Sequence, residues 1–439
     1  MINKILNFYT RPLVRDAVNT TVLSTVGKTV GFLVPFFIAA WFGVSEETDA
    51  FFFAYGLILF LSGIFAPVVK SVIVPYIAQA RSNNEDVGKF VGGLLGISGI
   101  GMLVLTVLLL LVAKPVLSVV ARFDEQALNF IFQLLLETSP LIVLLVWTSI
   151  LEGALNTYKK FAFPAISPAF RAITNLIIIF TFKDKYGVHS IALGYIVGEI
   201  VRLAVLLFVT KQLNLFKLRM SFWITPKLME FFKTASYQII GMVAIGFNPI
   251  VDKTMASWLD KGSVSILHYA DRLYMIPVTF MITGLMVTLL SHWSERYIKE
   301  GFQRLKKDVN RTVKMVTLLT LPITVLLIIF QRQIVTLAFG RGDFDEASLL
   351  TTGWAWVCYL LGFAPYIIGS VFLYAHMTTK NTKVIMQYGF YSVALTILLN
   401  YILMRSFGIT GIALARTCVH IFFVLYLSKV FYNNTRGVR

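Results

Sequence analysis

A chain of 439 residues that is 57% hydrophobic and only 14% charged is excluded from the ordinary soluble class, where about 25% of residues are charged. Its formal net charge of +17 does not mark a nucleic-acid binder, because the cations lie in short loops between long apolar runs, where a membrane protein carries them. The two cysteines, Cys358 and Cys418, sit inside apolar runs, which argues against a disulfide framework or a metal site.

Residues 1–17 are polar and basic, and the apolar run that follows is too long for the core of a cleavable signal. Twelve runs then predict membrane helices over residues 18–42, 50–77, 87–113, 127–153, 162–182, 188–210, 229–258, 264–293, 311–331, 347–376, 383–405 and 409–431. Each supplies the roughly 20 helical residues that a ~30 Å hydrocarbon core requires. Pro35, Pro67, Pro249 and Pro277 fall inside four of them, where a kink is expected.

Orientation follows from the basic residues. The amino terminus, the even-to-odd loops and the carboxyl terminus, with the helix ends that flank them, hold 24 of the 39 Lys and Arg, and the opposite loops with theirs hold 8. Both ends are therefore expected in the cytoplasm.

The chain also repeats at one ungapped offset of 221 residues. Phe123-Asp124-Glu125 returns as Phe344-Asp345-Glu346, Gly187 as Gly408, and Ile191-Ala192-Leu193 as Ile412-Ala413-Leu414. The expected halves are residues 1–218 and 219–439. Six helices in each give the two halves the same orientation, a parallel repeat around a central cavity that suits alternating access.

Ionisable residues at bilayer depth cost at least about 2.5 kcal/mol each and need a reason. Lys28 lies in the middle of the first span, Asp49 opens the second, and Lys70 is some seven residues from its inner end. Asp252 and Lys253 are neighbours in the seventh span, so their side chains diverge by ~100°. Asp271 and Arg272 stand in the eighth, with Arg272 ~12 Å deep at 1.5 Å per residue. Bland roles exist for some of them. A helix start favours Asp49, and Lys70 can snorkel. Glu199 and Arg202 are spaced to pair with each other, while Glu152 and Arg171 lie near the inner face, within reach of water. Arg416 receives no role from its position, and the five histidines show no metal spacing. The charges concentrate in the leading helix pair of each half. By the repeat those pairs face each other, and Lys28, Lys70, Lys253 and Arg272 make their chamber modestly cationic. An arginine there binds diphosphate oxygens in a forked geometry.

Three stretches carry a family resemblance. They are Phe42-Gly43 with Thr48-Asp49-Ala50-Phe51-Phe52, then Gly262-Ser263-Val264-Ser265 leading to Tyr269-Ala270-Asp271-Arg272-Leu273, and Asn156-Thr157 with Phe161 to Pro164 and Pro168. Arg341-Gly342 before Phe344 adds to them. The chain resembles the MurJ (MviN) lipid II flippases of the multidrug/oligosaccharidyl-lipid/polysaccharide exporter superfamily. The resemblance implies that the first, second, seventh and eighth helices line a cationic cavity for the head group. It implies that Arg272 and Asp49 are the family's cavity arginine and second-helix aspartate. Lys28 stands where the family usually has arginine. Asp252 matches an acidic position that in some members helps to hold sodium, with Asn400 as a partner from the eleventh helix. The sequence departs from the family at Val34 and Ser62, which replace arginines. It also ends after twelve helices, without two further ones common in the family, and this bears on lipid II as the cargo.

The expectation is an all-α membrane protein of the bacterial cytoplasmic membrane, with twelve transmembrane helices and no enzymatic activity. It would flip a polyprenyl-diphosphate-linked saccharide, with lipid II ranked first and an O-antigen or exopolysaccharide unit second. Lys28, Asp49, Lys70, Lys253, Asp271 and Arg272 would form the substrate site. Asp252 and Asn400 would take a coupling ion, Na+ or H+, with no other cofactor. The expected partners are the lipid-linked anionic saccharide and membrane lipids. A drug/cation antiporter of the same superfamily is the competitor and calls for a carboxylate-rich cavity. A glycosyltransferase or ligase calls for longer outer loops than these.

Overall fold

The computed structural model describes residues 12–379 and 381–433, with side chains from residue 23 onward except at a few positions, most of them between 283 and 298. Both chain termini, on which part of the orientation argument rests, lie outside the described residues. Every regular element among the described residues is a helix: α1 (Pro12–Phe42), α2 (Glu46–Ser82), α3 (Val87–Val120), α4 (Glu125–Thr138), α5 (Pro140–Thr157), α6 (Ala162–Tyr186), α7 (His189–Gln212), α8 (Pro226–Ala256), α9 (Ser263–Ile329), α10 (Gln331–Phe339), α11 (Glu346–Leu361), α12 (Phe363–Thr378) and α13 (Thr382–Asn433). Helices are what apolar chain must form in lipid, because only they satisfy the backbone polar groups within one segment.

These elements realise twelve spans. Nine helical stretches among the described residues are long and apolar enough to cross a membrane, and the last of these, Lys383–Asn433, is 51 residues long. It breaks at Gly408 (φ 57°) and so crosses twice. α8 and the part of α9 before Gly301 (φ 74°) supply the other two. The fourth span is α4 followed directly by α5, whose first residue is Pro140. The tenth is α11 followed by α12. Pro35, Pro67, Pro249 and Pro277 lie inside continuous helices. Non-helical backbone inside the two longest helices falls at Gly301 and Gly408, each between two spans.

The 221-residue repeat has a physical content. Asp124 caps α4 by accepting the Ala127 N–H at 2.7 Å, and Asp345 caps α11 by accepting the Ser348 N–H at 2.7 Å. Gly187 (φ 52°, ψ −136°) and Gly408 (φ 57°, ψ −133°) adopt the same left-sided conformation, which a side chain would strain.

The chain forms two compact units. The first comprises residues 1–38, 54–119 and 124–240, and the second 39–53, 120–123 and 241–439. The outer end of α1 and the first turns of α2 thus belong to the second unit. In the first unit α6 and α7 form a hairpin, with α4 and α5 against α7; in the second, α9 packs on α11 and α12, which both meet α13.

Helix α3 shows how the first unit divides lipid from protein. Ile100, Leu103, Val104, Val107, Leu108 and Leu111 are exposed at helical spacing, a stripe for acyl chains. Its opposite end is a row of glycines. Arg219 and Ser221 donate their N–H groups to the carbonyls of Gly88 and Gly92. The extended segment 217–221 therefore lies on that row, where a Cβ on Gly92 would meet the Arg219 carbonyl oxygen at 1.9 Å.

Candidate functional site

The resemblance-bearing stretches of the second unit fold into one knot. Helix α9 begins at Gly262, whose φ of 90° suits glycine and which has no side chain to cap the helix. Asp49 from α2 does so instead: its Oδ2 accepts the Gly262 N–H at 2.7 Å and its Oδ1 the Ser265 N–H at 2.6 Å. The Ser265 hydroxyl donates to Thr48 Oγ1 (2.9 Å) and the Tyr269 hydroxyl to the Gly43 carbonyl (3.0 Å). Gly43 (φ 58°) and Gly342 (φ 65°) let the end of α1 meet the loop before α11, where Asp343 donates to the Ala40 carbonyl. Asp49 is 4% exposed. It holds backbone rather than capping its own helix, which already starts at Glu46.

One turn deeper, Lys253 of α8 donates to the Phe52 carbonyl at 2.6 Å, and His268 stacks on Phe52 with ring centroids 3.9 Å apart. Beside them lies a cluster that the sequence only half revealed. Asp252 Oδ1 accepts from Asn400 Nδ2 at 2.8 Å, so that expected pair is brought together. Its Oδ2 accepts both Nε and Nη2 of Arg416, at 3.0 and 2.6 Å. Arg416 also pairs with Asp271 through Nη1, and its guanidinium lies 4.7 Å over the Tyr359 ring. Arg416 had no role in the sequence reading, because its partners lie 145 and 164 residues away.

The consequence falls on Arg272. Its neighbour Asp271 is taken by Arg416, so Arg272, half-buried in α9, has no hydrogen bond or ion pair among the described residues. Lys253 meets a neutral carbonyl. Arg272 is thus not neutralised by the aspartate that precedes it in sequence.

The first unit holds Lys28 and Lys70. Lys28 is half-buried on α1 and feels the charge of Lys70. Lys70 reaches Glu152 of α5 at 2.6 Å, with its side chain still 40% exposed. Arg202 pairs with Glu152 and, at 3.1 Å, with Glu199, as its spacing suggested. Arg171 meets Glu199 at 3.4 Å, and Thr148 donates to it at 2.8 Å. The expectation that Glu152 reaches water is corrected: it is 4% exposed. Gly153 lets the backbone of Lys70 and the side chain of Ile73 close over it. Arg171 meets the buried carboxylate of Glu199 while its own side chain stays 28% exposed. Val34 and Ser62, which the resemblance set in place of arginines, are both buried, and the Ser62 hydroxyl donates to the Ile58 carbonyl.

Comparison with known proteins identifies the family. The sequence profile of the family described as lipid II flippase MurJ matches residues 38–436. The lipid II flippase MurJ of Thermosipho africanus is 29% identical over 398 residues, covering 89% of this chain and 79% of that one. A solved lipid II flippase MurJ in an inward closed conformation superposes with a TM-score of 0.81 at 26% identity, covering 93% of this chain and 86% of the other. An inward-facing multidrug resistance MATE family transporter of the MOP superfamily gives 0.80 at 10% identity, covering 96% and 100%; that likeness concerns the fold alone. The chain belongs to the MurJ family of lipid II flippases, multi-pass membrane transporters rather than enzymes.

Proposed function

We propose that this chain flips a polyprenyl-diphosphate-linked saccharide across the bacterial cytoplasmic membrane by alternating access between its halves, residues 1–218 and 219–439. Lipid II is the first candidate cargo and an O-antigen or exopolysaccharide unit the second. Both termini face the cytoplasm, in keeping with the basic inner loops. The observation that carries this reading is the withdrawal of Asp271 onto Arg416, which leaves Arg272 without an acidic partner among the described residues. A half-buried guanidinium in that position is matched by a diphosphate, whose oxygens take its paired N–H donors. Lys28 and Lys253 add positive charge, and Lys70 does so in part, being shared with Glu152. Asp49 acts as a latch on the start of α9 rather than as a ligand.

The same observation weighs against a cation antiporter. Asp252 and Asp271, the deep acidic side chains of the seventh and eighth spans, are already covered by Arg416, so neither offers a free carboxylate to a cationic drug.

Reconstituted into proteoliposomes with labelled lipid-linked substrate, Arg272→Ala is expected to lose flipping at least tenfold. Lys28→Ala should also be impaired, and Arg272→Lys should recover only part of the activity because the fork is lost. If Arg272→Ala and Lys28→Ala both flip at the wild-type rate, the assignment is wrong. Competition by lipid II, by a lipid-linked O-antigen unit and by organic cations ranks the cargoes.

A further inference from the structure

A carboxylate and a carboxamide meeting inside a membrane lobe, as Asp252 and Asn400 do, are by chemistry a place for a small cation. The donors around them do not fit one. Asp252 Oδ2 is taken twice by Arg416, and Oδ1 receives the amide Nδ2 of Asn400 at 2.8 Å. Around a metal ion that amide would present its carbonyl to the same side as the carboxylate. It presents its NH2, and Oδ1 of Asn400 is buried without a partner among the described residues. One isolated carbonyl is not a chelate. Asp271, the other acidic group of the cluster, is held by the remaining arm of the guanidinium.

We propose that Arg416 is a built-in replacement for the coupling cation. Its guanidinium fills the position between Asp252, Asp271 and Asn400 that a free monovalent cation would take, so this chain binds no sodium there. The charge count is the same in either case: two carboxylates and one positive charge leave the cluster at −1. The difference is the tether. An arginine is always protonated and cannot dissociate from its own helix. It is anchored on the part of α13 after Gly408 and reaches α8 and α9 at once. It therefore holds together helices that a dissociable ion would release. The bias on the transport cycle then comes from a source other than an ion bound at Asp252.

The inference concerns ion binding and is independent of the cargo, so its failure would leave the flippase reading intact. The test is the thermal unfolding midpoint of the full-length protein in detergent, titrated with NaCl against KCl at constant ionic strength. The wild type is expected to show no difference between the two salts. Arg416→Met empties the position, lets Asn400 turn its carbonyl inward, and should gain a sodium-specific rise of roughly 2 °C or more at saturation. Adding Asp252→Asn to that variant should abolish the rise. A sodium-specific rise in the wild type that Asp252→Asn removes overturns the proposal, and so does an Arg416→Met protein as indifferent to sodium as the wild type. Should Arg416→Met not accumulate, Arg416→Gln serves in its place, and the wild-type titration needs no variant.

Discussion

The carboxylate of Asp49 accepts the backbone N–H of Ser265 at 2.6 Å across 216 residues of sequence. A helix start leaves its first N–H groups without partners, and an acidic oxygen there is favoured by both hydrogen bonding and the helix dipole. In α9 that oxygen comes from a different helix because Gly262 has none to give. Asp49→Ala leaves two buried N–H groups unsatisfied and is expected to cost about 1–3 kcal/mol. Asp49→Asn keeps one accepting oxygen and should cost less. Ser265→Ala retains the backbone donor, loses the hydroxyl's bonds to Thr48 and to Asp49, and should be mildest. Thermal melts in detergent give the order, and a Ser265→Ala protein weaker than Asp49→Ala would rule out the cap.

The carboxylate network of the first unit separates a buried ion pair from a shallow one. Arg202 is nearly enclosed, with a side chain 11% exposed, and serves Glu152 and Glu199 together. Removing it leaves buried Glu152 to Lys70 alone and buried Glu199 to Arg171 alone, so Arg202→Met should destabilise by roughly 3 kcal/mol, the lower end of what breaking a buried pair costs. Lys70, 40% exposed on the same Glu152, is replaceable at about 1 kcal/mol or less. Lys70→Ala should therefore lower flipping far more than it lowers the melting point, whereas Arg202→Met lowers both. Equal melting points for the two variants would contradict this division.

The glycine row of α3 makes a sharper steric claim. A Cβ at Gly92 would lie 1.9 Å from the Arg219 carbonyl oxygen and 2.4 Å from its carbon, both backbone atoms with no rotamer to yield. Gly92→Val must lift segment 217–221 off the helix. Proteolysis of the loop between α7 and α8 is expected to accelerate severalfold, with flipping reduced. Gly101→Val, on the same helix with open space around it, should change neither. If both variants are cut at the wild-type rate, the segment is not held by that row.

How much of this was legible in the chain depends on the range of the contact. Span positions, the half-length repeat and the Glu199–Arg202 pair rest on local spacing and were readable. Asp124 and Asp345 recurred because each caps a helix, and Gly187 and Gly408 because each turns one. The charge partners across helices were not readable. Lys70 could be placed near the inner face, but its Glu152 stands 82 residues away. Glu152 read as wet because it is close to a loop in sequence, while its burial depends on Gly153 admitting α2. Arg416 is the largest omission. The signal available was a lone arginine in the last span with no carboxylate one turn away, which at that depth must find partners on other helices.

The cap at Asp345 allows a prediction with a definite sign. The side chain and N–H of Ser348 hydrogen-bond its carboxylate and hold it below the usual aspartate range. A folded-state value below the unfolded one means that the ionised cap stabilises α11 fully above the unfolded value of about 3.9. That stabilisation is lost as pH falls through the lower, folded value. Between neutrality and roughly pH 5 the contribution should be constant, and below ~4 it should shrink. Asp345→Asn is a neutral cap of similar shape with nothing to titrate. The difference in melting point between wild type and Asp345→Asn should therefore be flat from neutral to mildly acidic pH. It should then drift toward the variant's favour as the medium becomes more acidic. Asp345→Ala, which lacks any cap, should lie below both at neutral pH by about 0.5–2 kcal/mol. A wild-type advantage that grows on acidification has the wrong sign for a depressed carboxylate and would show that Ser348 is not what holds it.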